Sequence, residues 1–476
     1  MALKHKAVWS GSREAGLSDD SVSEFIERMH ECGINAVFVH LKGGDGLLYW
    51  PSKRFPDAVA PGCDEFDLPA ALLRECRKRG MQLHAWLIDF FEGTNGAANQ
   101  RHPEWSLRNA KNQPTTSEIL RGRPVDLTWM CPARRPGYTD QWLVPALEEF
   151  AAMYDVDSIH HDYIRYPGDM APDQFCFCDY CLEQMPIFNG FVSKTYPDEP
   201  FYHELYDRAY LEAHWEQSPR VLPRNWHLLD RESKCRFLLE GSFFQGGRYD
   251  ADYFFYTYRT FWVTEFAREA AAAIRRVKPT MRISAAVFKN PIHSGRFIGQ
   301  DWRQFAPYVD LCVPMDYRDH YPGSFDVYLN LLEESIESQK FWARDFESLW
   351  IGAAINFLFF EEERPLAAAE RALEQGDVDA AVRSFAAVSE RVRKFSPPVA
   401  EAMDSLAAGP AALESALAML KDFRCQTPVG YYPADKLHRL IDRIEATGVE
   451  GISLFCDAHL DEYGLRSALR ERFGAN

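Results

Sequence analysis

Short apolar segments alternate with amphipathic helical segments along almost all of this chain, and no other feature restricts its fold so strongly. The helical segments repeat apolar residues with helical spacing, as Val22, Phe25, Ile26 and Met29 do between residues 18 and 32. The predicted strands lie at 7–9, 36–42, 82–89, 157–162, 282–288, 309–317, 349–356 and 451–457. This order predicts an α/β fold, a closed (β/α)8 or TIM barrel. An open dinucleotide-binding sheet is disfavoured, because no Gly-x-Gly-x-x-Gly follows any predicted strand.

Two long segments interrupt the alternation. Residues 168–250 follow the fourth strand and contain a cysteine cluster and many aromatic residues, and residues 361–425 follow the seventh strand. The second segment is rich in Ala, Glu and Arg at helical spacing, with a break at Pro397. We therefore predict a single barrel domain over residues 1–476 with two insertions, the second forming helices beside the barrel mouth.

The composition argues against several classes of partner. The formal net charge is −17 and no basic run is present, so neither nucleic acid nor an anionic membrane surface is expected. No apolar run is long enough to span a bilayer, and the first residues lack the apolar core of a signal peptide, so we expect a cytoplasmic location. The 11 cysteines are expected to be reduced thiols, some of them on a metal. The oligomeric state is left open.

Functional residues of such barrels lie where strands end and the following loops begin. The most crowded of these ends is the fourth, Asp157-Ser-Ile-His-His-Asp162-Tyr-Ile-Arg165-Tyr-Pro167. A carboxylate and a guanidinium packed this closely are costly to bury without a partner or a function. Asp162 is therefore predicted to be a catalytic carboxylate. The alternative is a structural ion pair between Asp162 and Arg165.

A second catalytic carboxylate is expected at another strand end. Asp316 is the first candidate, followed by Asp457 and Asp89. Alternation weakens the case for Asp316, because Met315 and Tyr317 share the opposite face of the sixth strand unless that strand has already ended. The distance between the two carboxyl groups would decide whether the sugar configuration is retained or inverted.

Aromatic residues are interleaved with these carboxylates. The mixture is typical of carbohydrate sites, where ring faces stack on sugars and paired carboxylates cleave the glycosidic bond. Basic groups that could clamp a phosphate are scarce. The predicted sugar contacts at the strand ends are Lys42, Trp86, Asp89, Tyr163, Arg165, Tyr317, Asn356 and Asp457.

Several segments carry a family resemblance: Gly33-Ile-Asn-Ala-Val-Phe-Val-His-Leu-Lys42, Gly44-Asp-Gly46, Gln82-Leu-His-Ala-Trp86, Val313-Pro-Met-Asp-Tyr317 and, most specifically, Asp162-Tyr-Ile-Arg-Tyr-Pro167. They resemble the family-10-like glycoside hydrolases, which are bacterial (β/α)8 barrels. The resemblance implies a sugar-cleaving barrel with Asp162 as its central acid. It also places in the pocket Lys42, His84, Trp86, Arg165 and Tyr317. A fainter likeness to family 18 chitinases puts Ile164 where their catalytic glutamate stands, which argues against substrate-assisted chemistry.

A run of cysteines, Cys176-Phe-Cys178-Asp-Tyr-Cys181, follows the fourth strand. Such closely spaced thiols suit a tetrahedral zinc ion, which needs four ligands, and Cys131, ahead of the preceding helix, is the predicted fourth. The cluster is similar to the structural zinc site of family 42 β-galactosidases, where a lone upstream cysteine joins a similar triplet. An iron–sulfur cluster and free loop thiols are the alternatives.

The leading hypothesis is a glycoside hydrolase that cleaves an oligosaccharide or polysaccharide with a pair of carboxylates and without an organic cofactor. One alternative is a non-catalytic carbohydrate-binding barrel that keeps the pocket and lacks the acid pair. Another is a sugar-acid lyase or isomerase, which would need a divalent metal bound by carboxylates at the mouth.

Overall fold

The computed structural model describes residues 2–115, 127–168, 176–185, 226–240 and 250–474. Its barrel strands are β1 (His5–Ser10), β2 (Ala36–Lys42), β3 (Gln82–Ile88), β4 (Ser158–Asp162), β5 (Arg282–Phe288), β6 (Leu311–Met315), β7 (Ser348–Ala354) and β8 (Gly451–Phe455). They pair in parallel and close in the order β1-β8-β7-β6-β5-β4-β3-β2, which confirms the predicted barrel. Because parallel strands share one direction, their carboxyl ends meet at a single mouth.

Helices cover the outside of the barrel. The main ones are α1 (Asp19–Glu31), α2 (Leu68–Lys78), α3 (Val144–Met153), α4 (Asp250–Val277), α5 (Phe325–Trp342), α6 (Asp435–Ala446) and α7 (Arg466–Phe473). Shorter helices lie at Ser12–Ala15, Ala97–Arg101, Pro291–Ile298, Trp302–Phe305 and Asp457–Glu462. Side-chain caps fix where they begin: Ser18 accepts from the Ser21 amide before α1, and Asp67 accepts from the Ala70 amide before α2.

The second interruption of the alternation is helical. Its helices are Phe360–Glu374, Val378–Ala386, Ser389–Phe395, Pro397–Asp404 and Pro410–Cys425. Of the first interruption, residues 169–175, 186–225 and 241–249 lie outside the described residues, whereas Arg231–Glu240 forms a helix. Within the described part, no helix has the length and apolar composition that crossing a membrane requires.

Large side chains fill the barrel interior. Trp9, Phe38, Val313 and Trp350 belong to one buried apolar cluster. Glycine makes room for the indoles, since a Cβ at Gly352 would lie 2.9 Å from a ring carbon of Trp9. The interior is therefore a packed core, and the functional surface is confined to the mouth.

Candidate active site

Asp162 is the last residue of β4 and is 8% exposed. Its Oδ2 accepts a hydrogen bond from Trp86 Nε1 at 3.1 Å, and its Oδ1 accepts one from the Tyr163 amide at 2.7 Å. Burial raises the pKa of Asp162 to about 6, although the charge of Arg165 and both hydrogen bonds favour the ionised form. A carboxyl group with this pKa can hold or release a proton near neutral pH, as a general acid or base must.

Aromatic rings line the mouth beside this carboxyl group. Trp86 packs on His40 with ring centroids 4.4 Å apart and meets Phe455 edge-on at 6.3 Å. Tyr317 stacks on Phe455 at 5.6 Å and on His320 at 5.7 Å. These rings keep water away from the acid and offer faces on which a sugar could stack.

Arg165 lies over three aromatic rings. Its guanidinium carbon is 4.5 Å from the ring centroid of Tyr163, 4.8 Å from that of Phe288 and 5.3 Å from that of Trp129. Its Nη1 donates to the Tyr166 carbonyl at 3.3 Å. Within the described ranges Arg165 has no carboxylate oxygen within 4.0 Å. The structural ion pair considered from the sequence is therefore not formed.

Tyr163 turns the chain sharply after β4. Its φ of 54° lies in the left-handed region, which aromatic residues rarely adopt. The ring stacks on Phe91 with centroids 5.0 Å apart. Such backbone conformations persist where the surroundings hold them, and they concentrate at functional sites. The turn brings the Tyr163 amide onto Asp162 and sends Arg165 back across the mouth.

The hydroxyl of Tyr317 faces charged groups of the mouth. Burial raises its pKa, and the Asp162 carboxylate, the Cys456 thiol and the Asp319 carboxylate raise it further. Asp319 lies on the short helix Arg318–His320 after β6, with a carboxylate oxygen 3.9 Å from His320 Nε2. The mouth therefore contains a second carboxylate, Asp319, which the sequence places at the same strand end as Asp316 but which was not among the predicted catalytic residues.

A β-bulge takes Lys42 out of the mouth. His40 pairs with Trp86 across β2 and β3, but the register then shifts and Lys42 pairs with Leu87. Lys42 Nζ forms an ion pair with Glu92 at 2.9 Å, and both side chains are fully buried. The structure thus places Lys42 beneath the mouth, in contact with a carboxylate.

His40 takes the inward position instead. Its Nε2 has no hydrogen-bond partner among the described residues, and its ring packs on Trp86. Burial lowers the pKa of His40 to about 4, so the imidazole is neutral. Two-residue alternation along β2 places His40 and Lys42 on the same face, so both would be expected to line the mouth. The bulge between them directs His40 into the mouth and Lys42 away from it, and the sequence does not reveal that bulge.

Asp89 also lies behind the mouth. Its two carboxylate oxygens are 3.1 and 3.0 Å from His161 Nδ1, and its carbonyl accepts from the Tyr138 hydroxyl at 2.9 Å. The same hydroxyl contacts Glu92. The Asp89 amide donates to the Asp162 carbonyl at 2.8 Å. This buried network braces the end of β4.

Asp316 lies on the outer side of β6 and is not brought together with Asp162. Its carboxylate accepts from Ser335 Oγ at 3.1 Å and from Gln339 Nε2 at 3.0 Å, both on α5, and from the Tyr321 hydroxyl. Burial raises the pKa of Asp316 to about 6, while these hydrogen bonds oppose the rise. Asp316 is the first residue after β6, and its contacts with α5 show that it ties the barrel to this outer helix.

Three other predicted sugar contacts occupy different environments. His84 lies one layer below the mouth, 2.6 Å from Ser158 Oγ, and burial lowers its pKa to about 3. Asp457 is buried in an ion pair with Arg466 of α7 at 2.7 Å. Asn356 is half-buried after β7, and its side-chain oxygen has no hydrogen-bond partner in the described ranges. His84 Nε2 also lacks a partner among the described residues, but it lies below the mouth, whereas Asn356 follows a strand end.

The four predicted metal ligands meet in one buried cluster. The sulfurs of Cys131, Cys176, Cys178 and Cys181 all lie within 4.8 Å of one another. The separations from Cys131 are 3.6, 3.9 and 3.6 Å to Cys176, Cys178 and Cys181, and Cys181 is 3.7 Å from Cys176. A tetrahedron with metal–sulfur bonds of about 2.3 Å has sulfur–sulfur edges of about 3.8 Å. The donor set and its spacing therefore fit a metal ion, and none of the cysteines is in a disulfide.

The cysteine cluster adjoins the mouth. Tyr166 is fully buried, and the thiols of Cys131, Cys181 and Cys176 add to the effect of burial in raising its pKa. Cys131 also follows closely on Trp129, one of the three rings under Arg165. The cluster therefore anchors two segments that hold Arg165 beside Asp162.

Comparison with known proteins identifies relatives of the chain. The model of a family described as "Putative glycosyl hydrolase domain" matches residues 8–336. The glycosyl hydrolase DigH of Escherichia coli K12 is 25% identical over 181 residues, which cover 35% of this chain and 39% of DigH. The glycosyl hydrolase YngK of Bacillus subtilis 168 is 23% identical over 194 residues, covering 36% of this chain and 35% of YngK. The chain thus spans well under half of these curated relatives.

One solved structure has the same architecture over its whole length. The glycoside hydrolase domain of PgaB (BpsB) from Bordetella bronchiseptica matches with a TM-score of 0.55 over 99% of both chains, at 11% identity. At that identity the likeness concerns the fold alone, and it agrees with the closed barrel described above.

Proposed function

This chain belongs to the glycosyl hydrolase domain family whose model matches residues 8–336, and from that membership we propose that it hydrolyses glycosidic bonds at the barrel mouth. The observation that carries the proposal is the state of Asp162, a buried carboxyl group with a pKa of about 6 beside open aromatic rings. The resemblance of Asp162-Tyr-Ile-Arg-Tyr-Pro167 to the family-10-like hydrolases supports the same reaction.

Asp162 is the proposed general acid. With a pKa of about 6 it retains a proton in about half of the molecules near pH 6 and in about a tenth of them at pH 7. It would give that proton to the oxygen of the departing sugar. Its hydrogen bonds from Trp86 and the Tyr163 amide fix the direction of the carboxyl group and stabilise the carboxylate left behind.

Asp319 replaces Asp316 as the proposed second carboxylate. Asp316 accepts hydrogen bonds from Ser335 and Gln339 on the outer helix. Asp319, by contrast, lies near enough to the Tyr317 hydroxyl to raise its pKa, as Asp162 does. In that position Asp319 would act as nucleophile or as the base for a water molecule, depending on its separation from the acid.

The proposed sugar contacts are the mouth residues that keep an accessible ring face or an unused polar atom. They are His40, Trp86, Tyr163, Arg165, Tyr317 and Asn356. Lys42, Asp89 and Asp457 are proposed to act indirectly instead, because each is itself buried and paired with another side chain.

The proposal is tested with a panel of aryl glycosides and oligosaccharides. Asp162→Asn should lower turnover of any cleaved substrate by roughly 10²–10⁴-fold while sugar binding remains. Asp319→Asn should also lower turnover, and Asp316→Asn should lower stability with a smaller effect on kcat. Sugar binding without turnover by the wild-type chain would support a carbohydrate-binding barrel and contradict hydrolysis.

Zinc is the proposed occupant of the cysteine cluster. Four sulfur donors at tetrahedral spacing suit zinc, and the spacing along the chain is similar to that in family 42 β-galactosidases. A site closed by four protein ligands leaves no position for substrate, so zinc would act on structure alone. Metal analysis should find one zinc per chain, and iron in its place would contradict the assignment.

A further inference from the structure

We propose that Arg165 selects substrates that carry an anionic group, a carboxylate or a sulfate, on a sugar at the scissile bond. The inference rests on the proposed hydrolase function and deepens it by naming a substrate class. It starts from a buried cation at the mouth, Arg165, that has no carboxylate oxygen within 4.0 Å among the residues that the structure describes.

The burial of Arg165 calls for a partner. The side chain is 8% exposed, and buried guanidinium groups are normally paired because an isolated charge is costly to bury. Across the described ranges no carboxylate lies within 4.0 Å of it. Nη1 donates to the Tyr166 carbonyl at 3.3 Å, and Nε has no acceptor within the described segments. A guanidinium has five N–H groups, and the described residues provide an acceptor for Nη1 alone.

Three rings fix the orientation of this guanidinium. Tyr163, Phe288 and Trp129 lie 4.5, 4.8 and 5.3 Å from its central carbon. Cation–π contacts offset part of the cost of burial and restrict rotation of the planar group. A guanidinium held in one plane matches two oxygens of a carboxylate or sulfate in a bidentate contact, which a lysine cannot reproduce.

The position of Arg165 places the anion next to the acid. Arg165 is close enough to Asp162 to lower the pKa of that carboxyl group, yet the two do not form an ion pair. An anion on Arg165 would therefore belong to a sugar that also reaches Asp162. By neutralising Arg165 it would raise the pKa of Asp162 and keep the acid protonated to higher pH.

The charge of the chain makes this local cation necessary for such a substrate. The formal net charge is −17, which disfavours the approach of anions in general. A single oriented guanidinium in a site of low dielectric can offset that repulsion at short range. The competing role for Arg165 is to adjust the pKa of Asp162 without touching substrate.

The experiment compares glycosides that differ only in charge. The pairs are 4-nitrophenyl β-D-glucuronide and β-D-glucoside, the corresponding galacturonide and galactoside, and N-acetylglucosaminide with and without a 6-sulfate. Dissociation constants are measured by calorimetry on Asp162→Asn, and kcat/KM on the wild type. At least one anionic member should bind about 10-fold or more tightly than its neutral partner. The carboxylate and sulfate pairs distinguish the two kinds of anion.

Substitution assigns the preference to the side chain. Arg165→Gln should reduce the preference for the anionic member by roughly 10- to 100-fold, and Arg165→Lys should retain part of it. Arg344→Gln is the matched control, because Arg344 lies 4.5 Å over the ring of Phe341, ahead of β7 and away from the mouth. Circular dichroism checks the fold of each variant, and the wild-type preference tests the inference without any substitution.

Three results would overturn the inference. Equal binding of the charged and neutral glycosides by the wild type would contradict the proposed anionic substrate class. Cleavage of neutral glycosides in the same experiment would still support the hydrolase function. A preference that survives Arg165→Gln, with the pH profile shifted for all substrates alike, would assign Arg165 to adjusting the pKa of Asp162. Failure to bind or cleave any sugar would contradict both proposals.

Discussion

Replacing Asp162 by Asn should change how stability depends on pH. Burial raises the pKa of Asp162 from 3.8 to about 6 on folding. Because the folded-state pKa is the higher one, the stability contribution is fully present below the unfolded pKa and is lost as the pH rises through about 6. The difference of about 2 pH units corresponds to a loss of about 3 kcal/mol.

The stability of Asp162→Asn lacks this pH dependence, but the substitution lowers the free energy of unfolding by an amount that does not change with pH. The Asp162 carboxylate accepts from two donors, Trp86 Nε1 and the Tyr163 amide. The Asn amide has one acceptor oxygen, so one donor loses its partner at a cost of about 1–3 kcal/mol at every pH. We expect the variant to be less stable than the wild type at pH 4 and to approach it at pH 8, the difference changing by about 2–3 kcal/mol.

Urea unfolding followed by tryptophan fluorescence at several pH values measures this difference. Subtracting the two curves removes the contributions of other buried carboxyl groups, such as Asp316. Asp326→Asn is the control, because the Asp326 side chain is 72% exposed. If the free energies of unfolding of the wild type and Asp162→Asn change with pH in parallel, Asp162 has the same pKa in the folded and unfolded states. That result would refute the reasoning.

Three further predictions concern Trp86, Lys42 and Cys131. Trp86→Phe keeps an aromatic ring but removes the hydrogen-bond donor to Asp162, so the pKa of Asp162 should rise. The basic limb of the kcat/KM profile should then move to higher pH by about 0.5–1 pH units. A basic limb at the wild-type pH would contradict this prediction. Lys42→Met leaves Glu92 buried without its cation, so the free energy of unfolding should fall by about 3–5 kcal/mol while KM stays unchanged. A raised KM at unchanged stability would instead indicate that Lys42 contacts the sugar. Cys131→Ser should lower the zinc content and the Tm, and full zinc retention would exclude Cys131 as a ligand.

The barrel could be predicted because its signal is spread along the chain. Every strand shows an apolar run, and helical spacing separates successive strands, so no single position decides the fold. The meeting of Cys131 with Cys176, Cys178 and Cys181 could also be anticipated, since both segments border the same strand–helix unit.

The site was harder to predict because side-chain direction depends on local geometry. A one-residue bulge after His40 sends Lys42 to Glu92, and nothing in the residue types marks that bulge. Alternation did warn against Asp316, which the fold directs to the outer helix. Asp319 stands at the same strand end as Asp316 in the sequence, but it lies beyond β6, where strand periodicity could not rank it above the other carboxylates.

The role of Asp162 as general acid is tested most directly by a leaving-group series. The rates of wild type and Asp162→Asn are compared on aryl glycosides whose departing phenols range from very acidic to weakly acidic. If Asp162 donates the proton, the variant should nearly match the wild type on dinitrophenyl glycosides and fall behind by roughly 10²–10⁴-fold on phenyl or alkyl glycosides. A loss of the same size on every member of the series would contradict proton donation by Asp162.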